Sequence, residues 1–234
     1  MKNFLRRLRF FGIGFGIGIV FVVFFFQNRG CTWLPSNRVK NSILDRVVVL
    51  SDEQEALLRS HGLSEKDVVG FLNDGDVEFG KSKKDGNPQV YSLTRDIKGK
   101  TLELWFTLPA NSFISEVQWP QGSIQRAENT QQGSGRMIHF PNVKSMVSLD
   151  DNKRFLCQQD KTGLIATTEV FNRLKKTGTV DFGLSHLKTS PKAEHYIRFT
   201  NSKGMKIAAV TVWNKEHIAF TGFILADSLD CPSY

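Results

Sequence analysis

The sequence predicts an α+β protein in which one N-terminal transmembrane helix precedes two tandem small units, each with one or two helices packed on an antiparallel sheet of about four strands. Three observations predict it: an apolar run near the N-terminus, sequence landmarks that recur in the same order, and alternating β-branched and aromatic residues between short turns. The predicted divisions are a basic cytoplasmic flank (1–9), the transmembrane helix (10–27), a juxtamembrane linker (28–42), a first unit (43–120), a linker (121–142) and a second unit (143–234).

The apolar run FFGIGFGIGIVFVVFFF occupies residues 10–26 and contains no charge and no proline. At about 1.5 Å per residue, a helix of this length approaches the thickness of a hydrocarbon core of about 30 Å, so we expect residues 10–27 to lie in the lipid bilayer. Basic residues at positions 2, 6, 7 and 9 place the N-terminus inside. This predicts a single-pass protein of the bacterial cytoplasmic (inner) membrane with a periplasmic body.

A lipoprotein attached through Cys31 is the alternative form of anchoring. Gly30-Cys31 resembles the end of a lipobox, in which a small residue precedes the cysteine that receives lipid. Asn28 stands where an aliphatic residue is expected, and this departure favours the helix as the anchor.

Four glycines recur at every second position of the apolar run: Gly12, Gly14, Gly16 and Gly18. Their spacing gives two small-xxx-small pairs, a pattern that lets two membrane helices approach closely, so it predicts a homo-oligomer through this helix-association face. Glycine is also commoner in membrane helices than in soluble ones, which explains the pattern equally well.

An internal duplication is predicted because residues 62–119 and 163–223 follow one plan. The sequence GDVEFG at 75–80 matches GTVDFG at 178–183 at an offset of 103, and the residue two positions further on is serine in both. Several landmarks in the same order indicate two copies of one unit.

Capping residues and turns predict the elements of each copy. Ser51 caps a first helix that stops at Gly62, and Ser64 with Asp67 forms a capping-box-like pair at the start of a second. Strands are expected at about 77–82, 88–95, 100–107 and 112–119. The second copy has a predicted helix at about 167–175 and strands near 179–184, 194–200, 205–213 and 217–224.

The charge distribution argues against nucleic acid as a partner. The net charge is +8, but residues 1–50 hold eight basic residues against Asp45 alone, so the rest of the chain is nearly neutral. A basic stripe on the folded body would be the footprint of phosphate binding. We therefore expect no nucleic-acid binding.

The order of features in the first copy resembles an uncharacterised bacterial family, domain of unknown function 4258, over residues about 51–119. The features are a helix, the sequence LSEKDVV at 63–69, the sequence GDV at 75–77, a tyrosine-bearing strand and a glycine turn into an apolar strand. A weaker second copy of the resemblance covers about 150–224. The resemblance implies a fold comparable with small ribonuclease toxins, whose first helix commonly carries His and Arg. Here Arg59 and His61 stand at the end of that helix.

No catalytic, cofactor-binding or metal-ligating residue is predicted. The five histidines include no pair at the helical spacing of a metalloprotease site. Ser82 and Ser185 lack a Gly-x-Ser-x-Gly context, so we expect them to hydrogen bond at strand ends. Glu78 and Asp181 recur within strands and are expected to face outward.

Three cysteines occur in the chain. On an oxidising side of a membrane, Cys157 and Cys231 would pair and fix the C-terminal tail to the second unit, with Cys31 left as a free or intermolecular thiol. The competing interpretation leaves all three cysteines unpaired.

Two functions fit these observations. The leading hypothesis is a membrane-anchored, extracytoplasmic and non-enzymatic binding module that presents sheet surfaces to an unknown envelope protein. The alternative is a degenerate nuclease-like or hydrolytic enzyme in which Arg59, His61, His186 or His195 converge in a cleft.

Overall fold

The computed structural model describes residues 9–20, 34–141, 147–186, 193–214, 217–225 and 231. The chain divides into two compact units, Met1–Arg38 and Val39–Tyr234. In the first unit, residues 9–20 form helix α1, whose side chains are exposed, and no other heavy atom lies within 4 Å of where a Cβ would stand at its four glycines.

The predicted transmembrane helix is wrong for the part of the chain that the structure describes. No helix there is long and apolar enough to cross a membrane. A span needs about 20 apolar residues, and the described residues of α1 are 9–20. The single-pass inner-membrane localisation is overturned with it. Residues 21–33 lie outside the described residues, and they include Cys31 and the rest of the predicted span.

The second unit contains the remaining regular elements. Its helices are α2 Pro35–Leu44, which begins in the first unit, α3 Asp52–Ser60, α4 Glu65–Asp74, α5 Lys153–Thr162 and α6 Thr167–Thr177, with a 3₁₀ turn at Ile124–Arg126. The strands are β1 Val47–Ser51, β2 Asp76–Val77, β3 Gln89–Ile97, β4 Lys100–Leu108, β5 Ile114–Gln118, β6 Ser134–His139, β7 Val147–Leu149, β8 Thr179–His186, β9 Glu194–Thr200, β10 Lys206–Asn214 and β11 His217–Ile224.

The predicted pair of separate antiparallel sheets is also wrong. All eleven strands form one mixed sheet in the order β2-β3-β4-β5-β1-β6-β8-β9-β10-β11-β7. The cause is β6, which pairs antiparallel with both β1 and β8 and so joins the two halves. This strand lies inside the predicted linker 121–142. Parallel pairs β1–β5 and β7–β11 make the sheet mixed.

The two halves of the sheet follow the same strand order. We call β1 to β5 the first repeat and β7 to β11 the second repeat. In each repeat a helix pair follows the first strand, and the first strand pairs parallel with the last. The helix pairs turn at Gly62 and Gly163, whose φ angles of 74° and 73° favour glycine. The predicted Ser51 cap and the Ser64–Asp67 capping box are confirmed.

Two hydrophobic clusters meet at the central strand β1. Val48 and Leu50 pack with residues of α3 and α4, whereas Val47 and Val49 pack with residues of α5 and α6. Successive side chains of a strand point to opposite faces, so the two helix pairs cover opposite faces of the sheet around β1.

Candidate ligand-binding cleft

A cleft of about 390 Å³ lies in the first repeat, where α3, β4, β5 and the segment after β5 meet. Its volume is in the range of small-ligand sites. We call it the Trp cleft. The lining is aromatic and rich in side-chain amides, with one cation and no carboxylate: Gln54, Trp105, Gln118, Trp119, Gln121, Gly122, Ser123, Arg126 and Ala127.

The indole of Trp105 is fixed by hydrogen bonds on the sheet. Leu104 and Phe106 point into the core, so strand alternation turns Trp105 to the opposite face. Its Nε1 donates to Glu103 Oε1 at 2.8 Å, and the hydroxyl of Ser92 donates to the same oxygen at 2.8 Å. The indole is therefore held in one orientation at the base of the cleft.

The Glu103 carboxylate that accepts these two hydrogen bonds is ionised. Burial pushes the pKa of Glu103 upward, but hydrogen bonds from Trp105 and Ser92 and the nearby ammonium of Lys81 outweigh burial and leave the pKa below its usual range. Lys81 Nζ lies 3.4 Å from Glu103 Oε2. An ionised acceptor strengthens the hydrogen bond to the indole.

Trp119 is held by both ends of α3. Its backbone N–H donates to Gln54 Oε1 at 2.6 Å, and Gln54 belongs to the first turn of α3. The His61 ring, at the C-terminal end of α3, stacks on the Trp119 indole with centroids 3.9 Å apart and an interplanar angle of 8°. One indole face is thus covered by His61.

Residues 119–133 form one wall of the Trp cleft, and we call them the cleft loop. Three hydrogen bonds dock this loop on the sheet: Gln118 Nε2 to the carbonyl of Glu128 at 2.7 Å, Lys83 Nζ to the carbonyl of Ala127 at 3.0 Å, and the backbone N–H of Thr130 to Glu116 Oε2 at 2.8 Å. The cleft therefore depends on a loop that the strands hold in place.

Glu116 is a buried carboxyl beneath the cleft loop, with 2 % of its surface exposed. Burial raises its pKa from 4.5 to about 7, and the hydrogen bonds of Thr130 act in the opposite direction. Its Oε1 and the buried Oδ1 of Asn129 have no hydrogen-bond partner among the described residues. A buried acceptor without a donor costs free energy.

Replacing Glu116 by glutamine is expected to stabilise the folded protein by about 3 kcal/mol above pH 7. The folded-state pKa is raised, so the wild type has its full stability below pH 4.5 and loses it as pH rises to about 7. Glutamine is uncharged throughout. Urea unfolding at pH 4.5 and pH 8 measures the difference, with the exposed Glu128→Gln as the matched control. An equal effect of E116Q at both pH values would contradict this pKa.

The second repeat lacks these residues at the equivalent strand positions. The strand register places Ala208 and Val210 where the first repeat has Glu103 and Trp105, and Ala219 where it has Glu116. The same fold is therefore built with small or aliphatic side chains at these places, and the polar arrangement of the first repeat is not a requirement of the fold.

A second concavity, of about 540 Å³, lies on the sheet of the second repeat. Several of its polar groups are engaged within the protein: Thr177 Oγ1 donates to the Arg173 carbonyl, Thr179 Oγ1 to the Arg198 carbonyl, and the Arg198 guanidinium contacts Asp181. The Trp cleft, with its fixed indoles and its amides, is the better candidate for a binding site.

The residues of the alternative enzyme hypothesis lie in four different environments. Arg59 pairs with Glu55 on α3, His61 stacks on Trp119, and His186 is exposed on β8. His195 is fully buried in the core. Ser112 Oγ lies 2.7 Å from His195 Nε2, but Ser112 is also fully buried, so this Ser–His pair cannot meet a substrate.

The repeated serines have the predicted structural role. Ser82 Oγ donates to the Glu78 carbonyl at 2.8 Å and accepts from the Ser92 backbone N–H at 3.1 Å. Ser185 Oγ makes the same two contacts, with the Asp181 carbonyl at 2.6 Å and the Tyr196 N–H at 2.9 Å. Hydrogen bonding at the end of the strand is confirmed in both repeats.

The Sγ atoms of Cys157 and Cys231 are bonded, which ties the C-terminal tail to α5. No cluster of three or more His, Cys, Asp or Glu residues able to hold a metal ion occurs in the described ranges.

Sequence reasoning missed Trp105, Trp119 and Glu116. A signal for the first two was present, because two of the four tryptophans stand on the third and fourth strands predicted for the first copy. No sequence signal places Glu116 under the cleft loop, because that contact depends on how the loop folds back.

Comparisons with protein-family models, with curated proteins and with solved structures gave no match to this chain. The resemblance to domain of unknown function 4258 stays a prediction.

Proposed function

We propose that this protein is a non-enzymatic binding module whose Trp cleft holds a carbohydrate. The observation that carries the proposal is a pair of indoles in one cleft: Trp105, with 6 % of its surface exposed, is fixed by Glu103 and Ser92 at the base, and the partly exposed Trp119 offers a ring to a ligand. Fixing a side chain in advance lowers the entropy cost of binding, which is typical of a recognition site.

The lining supports a sugar as the ligand. Indole rings are large, rigid surfaces suited to the apolar face of a sugar ring. Side-chain amides and a guanidinium offer donors and acceptors that match hydroxyl groups. The lining contains three glutamines, Ser123 and Arg126 and no carboxylate, so it favours a neutral or weakly anionic ligand over a cation.

No arrangement of the described residues favours the enzyme alternative. Arg59, His61, His186 and His195 do not share one environment, and the buried Ser112–His195 pair has no access to solvent. We therefore propose binding without a catalytic step.

Trp119→Ala is expected to weaken carbohydrate binding, because it removes the partly exposed indole of the cleft and its stacking on His61. Isothermal titration and intrinsic fluorescence with maltohexaose, cellohexaose and chitohexaose measure binding by the full chain. We expect at least a tenfold weaker association for the variant, a loss of about 1.4 kcal/mol.

Trp213→Phe is the matched control, because Trp213 lies on β10 beside Arg46, outside the Trp cleft, and its replacement should leave affinity unchanged. Equal affinity of wild type and W119A, or no response of the wild type to any of the three sugars, would contradict the proposal.

A further inference from the structure

We propose that a proton on Glu116 latches the cleft loop to the sheet, so that the Trp cleft is assembled when Glu116 is neutral and opens when it is ionised. The inference rests on the proposed function only for its consequence on ligand binding; the latch itself is a property of the loop.

The contact between Glu116 and Thr130 joins the cleft loop to β5. Strand alternation puts Glu116 and Gln118 on the face that carries Trp105, since Trp105 and Gln118 are directly paired. Glu116 Oε2 accepts a hydrogen bond from the Thr130 N–H. Beside it, Gln118 Nε2 donates to the Glu128 carbonyl. The buried carboxyl of Glu116 is therefore bonded directly to the loop that forms one wall of the Trp cleft.

The unpaired acceptors show which protonation state fits this contact. Glu116 Oε1 and Asn129 Oδ1 are both buried and both lack a donor, and Asn129 is the neighbour of Thr130 in the loop. A neutral carboxyl has one O–H to donate. Protonation turns Oε1 into a donor while Oε2 keeps its bond to Thr130, and we assign that donor to the unpaired side-chain oxygen of Asn129, the residue that precedes Thr130.

The elements around Glu116 supply no counter-charge. Its partner on β1 is Val49, in a strand without ionisable residues, and the hydroxyl of Thr107 on β4 accepts from the Glu116 backbone N–H. On β4, the ionisable residue Glu103 is already bound to Trp105 and Lys81.

The remaining charged residues near this contact are Arg126 and Glu128 on the cleft loop and Lys83, whose ammonium binds the Ala127 carbonyl. Burial and the Thr130 hydrogen bonds are the causes of the raised pKa of Glu116. Ionisation therefore leaves a buried charge that the closed loop does not neutralise, and opening the loop to water relieves it.

Hydrogen exchange in residues 119–133 of the full chain tests the latch without any ligand. Wild type and Glu116→Gln are compared at pH 5.5 and again at pH 8.5, so that intrinsic exchange rates cancel at each pH. For a pKa of about 7 in the closed loop and 4.5 in the open loop, we expect exchange in the wild type to be faster than in E116Q by about tenfold at pH 5.5 and by about 300-fold at pH 8.5. The same rate ratio at both pH values would overturn the latch.

Asn129→Ala is a second test that does not depend on the folding of E116Q. It removes the acceptor of the Glu116 proton, so the loop should exchange faster than in the wild type at pH 5.5; unchanged exchange would overturn the latch.

Titration with maltohexaose, cellohexaose and chitohexaose separates the latch from the proposed function. Loop exchange that responds to pH in a protein that binds none of them supports the latch and contradicts carbohydrate binding. Binding of equal strength at both pH values, with unchanged loop exchange, overturns the latch and leaves the binding function standing.

Discussion

Acidification from pH 6.5 to pH 3 is expected to remove up to about 5 kcal/mol of folding stability through His195 alone. Burial lowers the pKa of His195 from 6.5 to about 3, although a hydrogen bond with the Thr211 backbone acts in the opposite direction. Between these two pH values His195 is protonated in the unfolded chain but stays neutral in the folded chain. The stability is complete above pH 6.5 and is lost as pH falls towards 3.

The position of His195 explains the size of this effect. The ring lies on β9 in the core, with its centroid 4.3 Å from that of Phe113 and its Nε2 against the Ser112 hydroxyl. Ser112 and Phe113 precede β5 of the first repeat, so the imidazole also connects the two repeats. A charged ring here would have no carboxylate to neutralise it, because the groups that contact it are a hydroxyl, a phenyl ring and the backbone.

Urea unfolding of wild type and His195→Gln between pH 7 and pH 3 measures the effect. Glutamine keeps a polar group for Ser112 but does not titrate, so the variant should be less stable at pH 7 and should lose less stability on acidification. His186→Gln, at an exposed position of β8, is the matched control and should follow the wild type. Parallel profiles for wild type and H195Q below pH 6.5 would refute the prediction.

The local elements of this fold could be predicted from sequence because their signals are local. The Ser51 cap and the Ser64–Asp67 capping box depend on residues three apart, and both are present in the structure. The predicted helix at 167–175 corresponds to α6, although its N-cap residue, Ala166, makes no side-chain hydrogen bond to the helix.

The union of the repeats could not be predicted because it depends on one short strand. Ser134–His139 follows a glycine-rich, polar stretch that is typical of a linker, yet it pairs with β1 about 85 residues earlier in the chain and with β8 about 45 residues later. Its hydrogen bonds turn two small sheets into one. Apolar composition alone likewise predicted a membrane span at 10–27, whereas the described helix covers only residues 9–20.

The Trp cleft could not be predicted from the sequence, because its residues come together only through strand pairing and loop folding. Trp105 and Gln118 meet through the register of β4 and β5, and Glu116 meets Thr130 only after the cleft loop folds back over the sheet. None of these residues has a recognisable motif. The serines that do recur in the sequence pattern, Ser82 and Ser185, stabilise strand ends.

Removal of the disulfide is expected to cost about 4 kcal/mol of folding stability. Cys157 and Cys231 are 74 residues apart in sequence with Cα atoms 6.1 Å apart, so the bond closes a long loop in the unfolded chain. In the folded state it holds the tail beside α5, where the Gln158 side chain also binds the backbone of Phe223 through both its amide nitrogen and its amide oxygen. The bond therefore restricts the unfolded chain and fixes the tail next to β11.

Equilibrium unfolding of the Cys157→Ser/Cys231→Ser double variant measures this cost without a reductant. Cys31→Ser is the matched control and should leave the free energy of unfolding unchanged, because Cys31 is not part of this bond. Thiol titration of the denatured, unreduced wild type should find one reactive cysteine of the three in the chain. Three reactive thiols, together with equal stability of the double variant and the wild type, would show that the tail is held by packing alone.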